Sequence, residues 1–130
     1  MTKRKQAATV PVPAAAAPPA VNPDLRAVHT SLVELVAKLN ASIAHATTAA
    51  QVTAITDEIA EVNARVAAAG RQLLTQQTAA ITKSAEAVAA AIPDVEAAIK
   101  KFDDLREFVG GITKFLAIVD KAIDVAKLVV

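Results

Sequence analysis

From Leu25 onward, apolar residues return every three or four positions as far as Val130, with polar or small residues filling the intervals. That spacing keeps successive apolar side chains on one side of an α-helix, so the pattern predicts an all-α chain. The first stripe runs through Leu25, Val28, Leu32, Leu35, Leu39 and Ile43, with Val36 beside it. Its start is marked by Asn22 as a capping residue, Pro23 at the first helical position and Asp24 against the positive end of the dipole. An end is expected near Ala46, where Thr47 and Thr48 can close one helix and cap the next.

The second stripe takes alternate steps of three and four through Val52, Ile55, Ile59, Val62, Val66, Ala69 and Leu73, and continues more weakly through Leu74, Ile81, Val88 and Ile92. A mean step of about 3.5 residues favours coiled-coil-like packing. Gly70 is the natural place for a bend. Because no proline, asparagine or second glycine accompanies it, the expectation is one continuous helix from about Thr48 to Ile92, on the order of 65 Å long. Pro93 predicts a break there and a third helix with the stripe Val95, Ile99, Phe102, Leu105 and Val109. Gly110-Gly111 then hinges that helix or ends it before Ile112, Phe115, Leu116, Val119, Ile123, Ala126 and Val130.

Three to four antiparallel helices follow, arranged as an up-down bundle or a long helical hairpin over residues 23–130. Composition sharpens this picture: 54% of residues are hydrophobic but only 2% aromatic, so the core is made of small side chains and must be thin. Thin cores bury little apolar surface, which makes self-association a natural source of further burial. Residues 1–22 carry Lys3, Arg4 and Lys5 and then Pro11, Pro13, Pro18 and Pro19, which predicts an extended, disordered and solvated Pro/Ala-rich tail. Those prolines interrupt any secretory leader, and a cytoplasmic location is expected.

Charge narrows the partners. Fourteen basic and thirteen acidic residues leave a formal charge of +1, the basic residues are scattered, and the three phenylalanines cluster as Phe102, Phe108 and Phe115 at packing intervals. No nucleic-acid partner is expected. The chain has no cysteine. His29 and His45 fall on different sides of the first helix, and no His-Glu-x-x-His spacing occurs, so neither a metal nor a cofactor is expected. Carboxylates pair at helical spacing as Asp57 with Glu61, Asp103 with Glu107 and Asp120 with Asp124, each near a basic residue, which reads as surface charge patterning. Ser31, Ser42 and Ser84 lack a nucleophile elbow. The chain reads as non-enzymatic.

The segment Ile112 to Val130 is very apolar, yet Lys114, Asp120, Lys121, Asp124 and Lys127 argue against its spanning a bilayer. It suits burial against partner helices or, as the alternative, contact with a membrane or other apolar surface. The leading expectation is a helical assembly or interaction module that buries its seams against a second copy or a helical protein partner. Its expected interface comprises Ile55, Ile59, Val62, Val66 and Leu73 on the second helix, with Phe108, Phe115, Leu116, Val119 and Ile123 near the C-terminus.

Overall fold

The computed structural model describes residues 21–101 and 103–129. They form a bundle of four helices, α1 (Pro23–Ile43), α2 (Ala49–Gly70), α3 (Ala79–Ile99) and α4 (Leu105–Lys127). Of the expected tail only Val21 and Asn22 fall within the described residues; Phe102 and Val130 lie outside them.

Each helix begins at a side-chain cap that satisfies backbone donors left free in the first turn. The Asn22 Oδ1 accepts from the amides of Asp24 and Leu25 at 3.0 and 3.1 Å, with Pro23 at the first position as the sequence predicts. Thr48 and Gln51 form a reciprocal capping box on α2. Thr78 caps α3 and Asp104 caps α4, each accepting from the amide three residues on.

Three boundaries differ from the sequence expectation. The continuous helix to Ile92 does not form: α2 ends at Gly70, and residues 71–78 connect it to α3. Beyond Ala69 the stretch Arg71, Gln72, Thr75, Gln76, Gln77 and Thr78 is polar, and Asn22 takes up its freed carbonyls. The Asn22 amide donates to the Leu73 carbonyl at 2.7 Å, and Asn22 Nδ2 donates to that of Thr75 at 2.9 Å. Pro93 does not break the chain either and lies inside α3. Its ring is on the exposed face, and so is Ala89, whose carbonyl loses its intrahelical donor and can be hydrated. Buried Val88 before it and Val95 and Ile99 after it anchor both halves of the helix to the core. The break falls instead at the charged run Lys100 to Asp104. Gly110-Gly111, finally, neither hinges nor ends a helix; α4 passes straight through.

The short connections make α1 with α2, and α3 with α4, antiparallel hairpins. The hairpins meet through α1 against α3 and α2 against α4, so α2 and α3 lie across a diagonal of the bundle, as do α1 and α4. Both contacts between hairpins are parallel. Ion pairs join corresponding heights: Lys38 of α1 to Glu96 of α3, and Arg65 of α2 to Asp120 of α4. The 71–78 connection therefore crosses one end of the bundle, beneath the start of α1. There Asp24 accepts from Gln77 Nε2 at 2.5 Å and from Thr82 Oγ1 at 2.8 Å.

One main core fills the centre. Leu32, Leu39, Ile55, Val62, Phe108, Ile112 and Val119 are fully enclosed. A smaller cluster of Leu25, Ile81 and Ala126, with Leu73, Val125 and Val129 against it, closes the end crossed by the connection. The thinness expected from composition is most acute where α3 meets α4: a Cβ built on Gly111 would lie 2.3 Å from the Ala98 Cβ, whereas one on Gly110 meets nothing within 4 Å.

Adjacent glycines therefore respond in opposite directions. Gly110→Ala should stabilise the fold by about 0.5–1 kcal/mol through helix propensity. Gly111→Ala should destabilise it by about 1–3 kcal/mol, because α3 and α4 must part. Urea unfolding midpoints of the two variants, followed by circular dichroism, check the pair.

Candidate functional site

The stripe that α2 turns inward is not wholly apolar. Gln51, Ile55, Glu58, Val62 and Ala69 are its buried residues, and Arg65 continues the same four-three-four register in half-buried form. Apolar Ile55, Val62 and Ala69 alternate with polar Gln51, Glu58 and Arg65. Those three polar residues stand seven apart, the interval at which helical side chains align along one flank. The apolar flank beside it, Ile59 and Val66, packs onto the main core.

The three polar side chains have different fates. Gln51 is used locally, its Oε1 accepting from the amides of Thr47 and Thr48 at 2.7 and 3.2 Å. Arg65 reaches α4, where Nε and Nη2 donate to the two carboxylate oxygens of Asp120 at 3.0 and 3.1 Å, and its Nη1 donates to Glu61 Oε1 at 2.6 Å. The bond to Asp120, more than any other influence, raises the guanidinium pKa and holds the group charged. Such a planar fork on a carboxylate fixes geometry as well as charge.

Glu58 is different. Its residue is 7% exposed, and among the described residues its carboxylate has no hydrogen-bond or ion-pair partner. Burial raises its pKa above the ordinary 4.5, the Glu61 and Asp57 charges push it further up, and Arg65 pulls it back only in part. A buried carboxylate without a donor opposes folding whenever it is ionised.

Glu58 lines a cleft of about 570 Å³ between α2 and α4. Four carboxylates, those of Asp57, Glu58, Glu61 and Asp120, face the single guanidinium of Arg65 there. The opposite wall, on α4, sets the apolar surface of Leu116 and Ala117 between Thr113 and Asp120. The arrangement offers hydrogen-bond acceptors and negative charge beside a hydrocarbon surface. It suits binding of a positively charged, partly apolar group.

The ten residues expected at an interface are all turned toward the bundle's own interior. Ile55, Val62, Phe108, Phe115, Leu116, Val119 and Ile123 are buried within the one chain, Ile59 and Val66 pack half-buried on the same core, and Leu73 packs on the end cluster. Only Leu116 among them also lines the cleft. Sequence reasoning missed Glu58 entirely and read Asp57, Glu61, Arg65 and Asp120 as surface charge. The available signal was the seven-residue recurrence of Gln51, Glu58 and Arg65 in register with the apolar seam. Among the described residues, no group of three or more His, Asp or Glu side chains is placed to hold a metal ion.

The raised pKa has a definite sign for stability. Glu58 binds its proton more tightly in the folded chain, so its contribution is fully present below the unfolded value and is lost as pH rises through the folded value. Glu58→Gln should therefore raise the thermal midpoint at pH 7 and leave it close to wild type at pH 4. Calorimetry at the two pH values measures the difference.

No protein-family model matches the chain, and no curated protein or solved structure is found to match it.

Proposed function

We propose that this chain is a non-enzymatic interaction module that meets a partner protein across its α2–α4 face, not through its helical seams. The seams are used in closing the bundle on itself, which moves any recognition to the outer surface. The observation that carries the reading is the Glu58 carboxylate, buried in the α2–α4 cleft without a donor among the described residues. A partner that supplies one would relieve the desolvation that the isolated bundle leaves uncompensated.

Placing a photo-crosslinking residue at Ala60 or Ala117, two exposed residues of the cleft, tests the contact in cells that make the protein. Adducts should form from these positions and not from the exposed Ala87 of α3. Equal labelling from Ala87, or none from the cleft, would overturn the assignment of the face.

A second reading, contact with a lipid or other apolar surface, draws on the end of the bundle crossed by residues 71–78. Val21, Leu74 and Leu128 are all exposed there, Leu74 at 63% and Leu128 at 80%. No helix among the described residues is long and apolar enough to cross a membrane, so this contact would be peripheral. It predicts sedimentation with neutral phosphatidylcholine vesicles that drops several-fold in a Leu74→Gln/Leu128→Gln variant. Sedimentation unchanged by the double substitution would remove this end as the contact.

A further inference from the structure

The lining of the α2–α4 cleft specifies the chemistry of its occupant more closely than the face alone does. We propose that the cleft is a site for a single alkylammonium group, the chemistry of a lysine side chain, with Glu58 as its counter-ion. This assignment rests on the α2–α4 face being a contact surface.

Charge sets the sign of the occupant. With one guanidinium among four carboxylates, the lining is in net negative excess, and the one cation present is already engaged. Arg65 donates to both oxygens of Asp120 and to Glu61, which leaves Glu58 as the buried acceptor with both oxygens free of donors among the described residues. An ammonium brings three donors on a flexible stem and can meet Glu58 with a point charge. Its methylene stem finds apolar surface along Leu116 and Ala117, as long cationic side chains do when they bury their carbons and keep the charge near acceptors.

Two other cations fit less well. A bare divalent ion needs several oxygen ligands converging on one point, and no three carboxylates among the described residues converge in that way. A second guanidinium would bring a rigid fork of five donors to the two oxygens of Glu58, leaving most of those donors without a partner in a buried site. The chain itself carries alkylammonium groups at Lys3 and Lys5, ahead of α1. About eighteen residues separate Lys3 and Lys5 from Asn22, and such a length can span up to roughly 60 Å when extended, which exceeds the distance to any face of a bundle this size. The same chemistry can thus come from this chain's own N-terminal residues or from a partner's lysine.

The test is an NMR titration of the full chain at pH 7 with n-butylammonium chloride, reading the Glu58 side-chain carboxyl carbon and the amides of Ala60, Thr113 and Ala117. Magnesium chloride at matched ionic strength runs in parallel. Saturable shifts confined to the cleft, weakened at least tenfold in Glu58→Gln, are expected. That variant is expected to fold well, so weakened binding would not reflect lost structure. A Lys3→Gln/Lys5→Gln chain separates the sources. Tighter butylammonium binding than wild type means that the chain's own lysines occupy the cleft, and equal binding leaves the site open to a partner; either supports the proposal. Failure of both chains to bind, equal shifts with magnesium, or unchanged affinity in Glu58→Gln would overturn it. Crosslinks from Ala60 and Ala117 that persist alongside such a failure would leave the α2–α4 face as an interface of different chemistry. Binding without crosslinks would make the cleft a small-amine site and sink the partner reading instead.

Discussion

Everything distinctive in this bundle depends on the connection between α2 and α3 passing diagonally beneath α1, held there by Asn22. One residue caps α1 with its side-chain oxygen and clamps the connection with its backbone amide and side-chain nitrogen. A buried polar group so fully satisfied specifies one arrangement, because any other leaves its donors or those of the helix unpaired. With the crossing diagonal, α3 is set beside α1, and α4 falls beside α2 in parallel. A simple meander of neighbours would instead have put α2 against α3. The polar flank of α2 would then have faced a helix with no Asp120 to receive Arg65.

Parallel pairing of α2 with α4 is also where the bundle is least like a hydrophobic core. Arg65 and Asp120 are only partly withdrawn from water, with side chains 23% and 46% exposed, so their pair contributes little net stability. Its value is in register: the two-pronged contact is satisfied at one relative height of the helices and broken by a slip of a single turn. Glu58, a full heptad before Arg65 on the same flank, has no equivalent on α4. One heptad before Asp120, α4 carries Thr113, which lines the cleft with Leu116 and Ala117 and bears no charge. A stability-optimised α2 would carry glutamine or leucine at this position. A carboxylate placed where it opposes folding is the local inconsistency on which the proposed contact outside the fold rests.

Much of the architecture was legible in the sequence, and the failures have physical causes. Asn22-Pro23 marked the start of α1 because capping and proline preferences are local. The stripes of α1 and α4 were plain because long apolar side chains recur on one face. Gly70 and Pro93 misled because the residues themselves do not decide the outcome. The helix stops after Gly70 because Asn22, far away in sequence, binds the carbonyls beyond it. It continues through Pro93 because that ring and Ala89 happen to face water. Glu58 escaped notice for a related reason. Positions 52, 59 and 66 and positions 51, 58 and 65 are two flanks of α2 one residue apart, each repeating every seven. Apolarity pointed to the first flank. Which flank faces α4 is a matter of topology, and the topology rests on the diagonal connection.

The fate of the seams constrains how such a chain can interact at all. A thin core made a second copy a natural source of further burial, because alanine-rich helices bury little surface. Within the bundle, close approach supplies part of that burial, most clearly where Gly111 lets α4 settle against Ala98. Close approach recovers dispersion contacts that larger side chains would otherwise supply. Once Phe108, Phe115 and Val119 are enclosed in one chain, they cannot bind another without unfolding the core. On the proposed reading, recognition across the α2–α4 face uses polar surface, whose discrimination comes from charge and hydrogen bonding more than from area. For the contact proposed, an acidic cleft whose one buried carboxylate is unanswered among the described residues is the best equipped feature, since a partner bearing the matching donor gains what every other partner forgoes.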